Sequence, residues 1–108
     1  APTAVRFGGG SARWSRGRGV LVRWRAGLAR DVLGYEVLRV RRGSHARARV
    51  KLTRRLIAAN ALSRTVSTRY VFRDRAGRPG DRYFVRARTL TNATTMYGPF
   101  AASGKASR

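Results

Sequence analysis

The sequence predicts an all-β fold, an antiparallel β-sandwich of about seven short strands. Three observations lead there. Apolar and polar residues alternate at period two in several short segments, most clearly in Val20-Leu21-Val22-Arg23-Trp24-Arg25. These segments are rich in β-branched and aromatic residues and are bounded by Gly, Pro, Asn and Ser. Helical periodicity is weak throughout. At 108 residues the chain is long enough for one core but not two, so a single domain is expected over residues 1–108.

The first strand is expected over residues 4–7 and resumes over 11–14. Gly8-Gly9-Gly10 interrupts it, which means a bulge, a kink or a hinge. Residues 15–19, with Gly17 and Gly19, form a turn. In the strand at 20–25, Val20, Val22 and Trp24 share one face and Arg23 and Arg25 the other. Residues 26–33 read as a loop. The strand at 34–41 places Tyr35 and Val37 on one side, Glu36 and Leu38 on the other. A turn at 42–45 leads to a short strand at 47–52, where Arg47, Arg49 and Lys51 alternate with Ala48, Val50 and Leu52. Residues 54–62 are too short for a stable helix and read as irregular. Strands follow at 70–74, 82–89 and 96–102, separated by turns at 75–80 and 92–95. Tyr83, Val85 and Ala87 face one way from the strand at 82–89; Arg82, Phe84, Arg86 and Arg88 face the other. Residues 103–108 are a polar tail.

Charge dominates the composition. Lys and Arg number 25 against 4 acidic residues, for a formal net charge of +21, and all but Lys51 and Lys105 of the basic residues are arginine. Such a chain repels itself and attracts polyanions at long range. A hydrophobic content of 43% and the interleaving of charge with apolar residues argue for solvated faces of folded elements, against a disordered basic arm. The arginine excess has two readings, a binding surface or the coding bias of a GC-rich genome. The lack of cysteine excludes a disulfide framework and cysteine-ligated metal. No apolar run approaches the roughly 20 residues that span a bilayer. Ala1-Pro2-Thr3, without Met, suggests a mature or excised segment.

Catalysis is not expected. Hydrolytic chemistry needs an acid paired with a base, or a nucleophile beside a base. Here the lone histidine, His45, sits in a turn, and Asp31, Glu36, Asp74 and Asp81 are dispersed. Asp74 and Asp81 flank a turn, where aspartate commonly bonds local backbone. Glu36 is expected to pair with a neighbouring arginine. The same dispersal leaves no metal-ligand set and no cofactor site. Gly8-Gly9-Gly10 lacks the lysine and the following Ser or Thr of a phosphate loop. Asn92-Ala93-Thr94 fits a glycosylation acceptor but reads more simply as a turn.

Trp24, Gly34-Tyr35-Glu36-Val37 and Pro79-Gly80-Asp81-Arg82-Tyr83-Phe84-Val85-Arg86-Ala87 together resemble a fibronectin type III domain. In that family's pattern Tyr83 buries its ring and bonds backbone at the turn through its hydroxyl. A narrower resemblance, to a fibronectin-like module of secreted and surface proteins of GC-rich bacteria, rests on residues 19–25, 32–35, 56–58, 70–74 and Tyr97-Gly98-Pro99. It implies a non-catalytic spacer or adhesion module at the cell surface or outside the cell. The broken first strand and the strong basicity depart from that pattern.

Three functions are expected in descending order. The first is an extracellular structural or adhesive module whose basic face holds polyanions such as acidic polysaccharide, envelope phosphate or extracellular DNA. Its residues are Arg39, Arg41, Arg42, Arg47, Arg49, Arg82, Phe84, Arg86 and Arg88, since arginine with an interleaved aromatic suits phosphate contact and stacking. Edge arginines that block unwanted strand pairing are the blander role. No motif for reading base sequence is present, so any nucleic-acid contact is indifferent to sequence. The second is a filament subunit that donates its first strand, with Val5 and Phe7 as anchors and Gly8, Gly9 and Gly10 as an exchange hinge within residues 1–10. The third is an intracellular nucleic-acid packaging protein.

Overall fold

Alternation at period two builds eight strands in the computed structural model, which describes residues 6–27, 32–59 and 68–104. They are β1 (Arg6–Ser15), β2 (Gly19–Gly27), β3 (Val32–Val40), β4 (Val50–Lys51), β5 (Ile57–Ala58), β6 (Thr68–Asp74), β7 (Arg82–Thr89) and β8 (Thr94–Ser103). There is no helix among the described residues. The strands form one mixed sheet in the order β4-β3-β7-β8-β1-β2-β6, with β5 also on β3, curled into a half-barrel. The sheet is not wholly antiparallel: β1 and β8 run parallel through Ala12↔Ala102 and Arg13↔Ser103. That short ladder joins a wing of β1, β2 and β6 to a wing of β3, β4, β7 and β8.

The core lies in the concave interior. Val20, Val22 and Trp24 from β2, Tyr35 and Val37 from β3, Tyr70 from β6 and Tyr83, Val85 and Ala87 from β7 are all buried. The wings meet through aromatic rings: Trp24 stands edge-on to Tyr35 at 5.9 Å, and Tyr70 packs on both, 5.6 Å from Trp24 and 4.8 Å from Tyr35. Offset and edge-on pairs at such separations add to the burial of the rings themselves.

β1 runs through its three glycines without a break. The register shifts between Phe7 and Gly9, so that Phe7 opposes Ala26, Gly9 opposes Arg25 and Gly10 opposes Trp24. This is a β-bulge, which keeps both Phe7 and Gly10 on the inner side. Gly9 holds a φ of 113°, open chiefly to glycine. A side chain at Gly10 would strike the Phe100 ring at 2.7 Å, and one at Gly8 would crowd the Arg25 side chain at 3.3 Å. Phe7 is half-buried on its own chain, stacked on Tyr97 at 4.2 Å and facing Phe100 at 5.9 Å. Val5 lies outside the described residues.

Several sequence expectations shift. The turn expected at 92–95 gives Thr94 and Thr95 to β8, which also takes Ser103 from the polar tail expected at 103–108. The loop at 26–33 narrows, because Ala26 and Gly27 extend β2 and Val32 and Leu33 begin β3; the residues between lie outside the described set. The strand at 47–52 shrinks to Val50–Lys51. Ala48 donates its amide to the His45 carbonyl, and Ala46 to Val50 are all exposed, so the Arg/Ala alternation had no buried face to hold it extended. Residues 54–59 are irregular apart from β5, which pairs with Gly34 and Tyr35.

Candidate functional site

Where the arginines stand is decided by where the carboxylates stand. Tyr35, Val37, Arg39 and Arg41 share one parity on and just beyond β3, so Arg39 and Arg41 point to the core side of the wing. Arg39 Nη1 lies 3.0 and 2.8 Å from the two oxygens of Asp74, which also accepts the Tyr83 hydroxyl at 2.7 Å and the Ala76 amide at 3.2 Å. Burial, then the Asp74 hydrogen bond, pushes the Tyr83 phenol well above its ordinary range. The hydroxyl therefore meets a carboxylate at the corner, in place of the backbone partner expected from the resemblance. Arg41 Nη1 reaches Asp81 at 2.6 Å and the Ala76 carbonyl at 2.9 Å. Asp81 caps the corner further by accepting the amides of Arg42 and Arg78.

On the outer face of the same wing, Glu36 is 6% exposed beneath a lid of cations. Arg86 Nε lies 2.8 Å, Arg88 Nη2 3.1 Å and Lys51 Nζ 3.6 Å from its oxygens. Burial opposes its ionisation, but the hydrogen bonds and charges of Arg86 and Arg88 prevail and hold the carboxyl below its ordinary value. Arg82 donates to the Ser44 carbonyl, and Arg49 stacks over the Phe84 ring at 5.6 Å. Arg42 and Arg47 are exposed in the turns that follow β3. The nine residues expected to form one polyanion face are thus divided: Arg39 and Arg41 on the core side, Arg82, Phe84, Arg86 and Arg88 on the outer face, and Arg42, Arg47 and Arg49 around the turns. Most of their guanidinium groups are engaged within the chain.

The other wing is different. The outer face of β1, β2 and β6 presents Arg13, Arg23, Arg25 and Arg69, all exposed, with Arg73 beside them. Arg25 stands directly opposite Arg69 in the ladder, Arg23 opposite Val71, and Leu21 opposite Arg73. Among the described residues, Arg13, Arg23, Arg25 and Arg69 have no hydrogen-bonding or ion-pair partner for their side chains. Arg73 donates to the Arg18 carbonyl at 3.2 Å. The described carboxylates are elsewhere: Asp74 and Asp81 inside, Glu36 on the opposite wing. Like charges directly opposed across a ladder destabilise it.

Two hollows shape this face. One, of about 800 Å³, is floored by Gly8, Gly9 and Gly10 and rimmed by Arg23, Arg25 and Arg69. The second, of about 380 Å³, is lined by Arg13, Arg18 and Arg73. They share Ser11, Leu21 and Arg23. The sequence showed Arg23 and Arg25 facing away from the core; it did not show that β6 brings Arg69 against them, since that register is a non-local pairing. Among the described residues, no three His, Cys, Asp or Glu side chains group together as metal ligands would. No known protein family, no curated protein and no solved structure matches the chain.

Proposed function

We propose that the protein is a non-catalytic, extracellular interaction module that binds polyanions through the arginine face of β1, β2 and β6. One observation carries this reading: that face holds unpartnered arginines, two of them directly opposed, with no described carboxylate to compensate them. An anionic polymer relieves the repulsion and releases its own counterions. Arginine also suits sulfate and phosphate groups through its forked donors. The engagement of Glu36, Asp74 and Asp81 in ion pairs, with His45 on an exposed turn where its Nδ1 accepts the Arg47 amide, supports a role without catalysis.

A fibronectin type III-like architecture is part of this proposal. The first two strands and β6 lie in one wing, and β3 with the last two strands in the other, the division found in immunoglobulin-like sandwiches. Modules of this kind typically serve at the cell surface, in keeping with the resemblance noted in the sequence.

The test is binding of heparin and duplex DNA across a salt series. The logarithm of affinity should fall linearly with the logarithm of salt concentration. Replacing Arg23, Arg25 and Arg69 by Gln should reduce that slope by about one for each anionic group no longer neutralised, roughly two to three in all. The charge-matched variant with Arg42, Arg47 and Arg49 replaced by Gln should change it little. Absent or salt-insensitive binding overturns the proposal.

A further inference from the structure

The two hollows on the arginine face lie in line along β2. The larger is bordered by Arg25 and Arg69, the smaller by Arg13, Arg18 and Arg73, and Arg23 borders both. From the rank of Arg25 to the rank of Leu21, which pairs with Arg13 and Arg73, is four residues of extended chain, about 13 Å. Between these ranks the floor is small: Gly8, Gly9, Gly10, Ser11 and Ala12 offer no bulk to lift a ligand off the sheet. The glycine bulge thus widens the larger hollow at the place where the opposed arginines need an anion.

Resting on the proposed polyanion binding, we infer that the ligand is a linear sulfated polysaccharide that lies along β2 and places one sulfate group in each hollow. Three arginines around one hollow suit the several oxygens of a tetrahedral ester better than the two of a carboxylate. A polysaccharide fits better than a nucleic acid because the aromatic rings nearest the face, Trp24 and Tyr70, are turned into the core and buried. The side chains between the arginines are aliphatic, the half-buried Leu21 and the exposed Val71, so the described residues of this face present no aromatic platform for base stacking. Joining two hollows with one chain makes the second engagement intramolecular, and avidity rises although neither hollow binds more tightly by itself.

The experiment is calorimetric titration of the full chain with size-defined heparin oligosaccharides at fixed salt. Affinity should rise at least about tenfold, beyond the gain from added charge alone, at the length that first spans both hollows. Replacing Arg13 and Arg73 by Gln should abolish that step while leaving the binding of shorter oligosaccharides nearly unchanged. Replacing Arg25 and Arg69 by Gln should weaken every length. These side chains lie on the outer face, and an unchanged aromatic circular dichroism signal from the buried rings verifies that each variant is folded. A smooth increase with ligand charge overturns the two-hollow inference yet leaves the polyanion reading intact, whereas no binding at any length overturns both. Single-stranded DNA of equal charge binding as tightly, or hyaluronan, which carries carboxylates alone, showing the same step, overturns the assignment to a sulfated glycan.

Discussion

Tyr83 shows how a single residue ties the corner of the fold together. Its hydroxyl donates to Asp74, which Arg39 also holds, so one buried carboxylate links β7, β3 and the end of β6. A side chain at Gly77 would collide with the Tyr83 hydroxyl and with Val20, so glycine is required where the turn passes over the ring. Replacing Tyr83 by Phe removes one hydrogen bond to a charged acceptor while Arg39 and the Ala76 amide keep Asp74 satisfied. Denaturant unfolding should show a loss of about 2 kcal/mol. Replacing Asp74 by Asn should cost more, about 3 kcal/mol or above, because the mostly buried Arg39 loses its counter-charge. At this scale the sequence was informative where chemistry is local. The backbone bonds of Asp74 and Asp81 follow from residue type and turn position, and that Glu36 pairs with an arginine follows from its charge. The identity of its partners, Arg86 and Arg88, 50 and 52 residues away, does not. The Arg39–Asp74 pair does not, because it joins positions 35 residues apart. The parity that sends Arg39 inward was nevertheless written in Tyr35, Val37 and Arg39.

At the scale of elements, the three glycines of β1 each have a separate reason: Gly8 leaves room for Arg25, Gly9 takes the positive φ of the bulge, and Gly10 admits the Phe100 ring. The strands themselves were legible because alternation marks a half-buried face and Gly or Pro marks its ends. The strand expected at 47–52 contracts to Val50–Lys51 because Arg47, Ala48 and Arg49 imitate the alternation without an apolar side chain large enough to bury. The candidate site was only partly legible. Arg23 and Arg25 could be seen to share an outward face, but their meeting with Arg69 depends on the β2–β6 register. That ladder makes a direct prediction. Replacing Arg69 by Glu converts an opposed like-charge pair into an attractive one, and should raise stability by roughly 0.5–1 kcal/mol in urea unfolding. The same variant should bind heparin less well. A gain in stability with a loss of binding would mark this ladder as a place where charge placement serves a ligand at the fold's expense.

The whole molecule carries its net charge of +21 unevenly. The wing of β3, β4, β7 and β8 neutralises part of its charge with Glu36, Asp74 and Asp81, whereas the outer face of β1, β2 and β6 neutralises none of its own with the described carboxylates. Buried titrating groups bound the pH range of stability. Burial raises the phenols of Tyr83 and Tyr35 above 10.0, so their contribution is complete below 10.0 and is lost as pH rises beyond it. Glu36 is held below 4.5, so its contribution is complete above 4.5 and is lost as pH falls below it. Urea midpoints measured across pH should show a plateau between these limits and a fall on either side. The parallel pairing of β1 with β8 carries a mechanical consequence. Because the two strands run the same way, tension applied between Arg6 and Gly104 drags them past each other along their length. The ladder is then loaded in shear, its hydrogen bonds sharing the force instead of parting one by one, and the joint between the wings acts as a tension-bearing clamp.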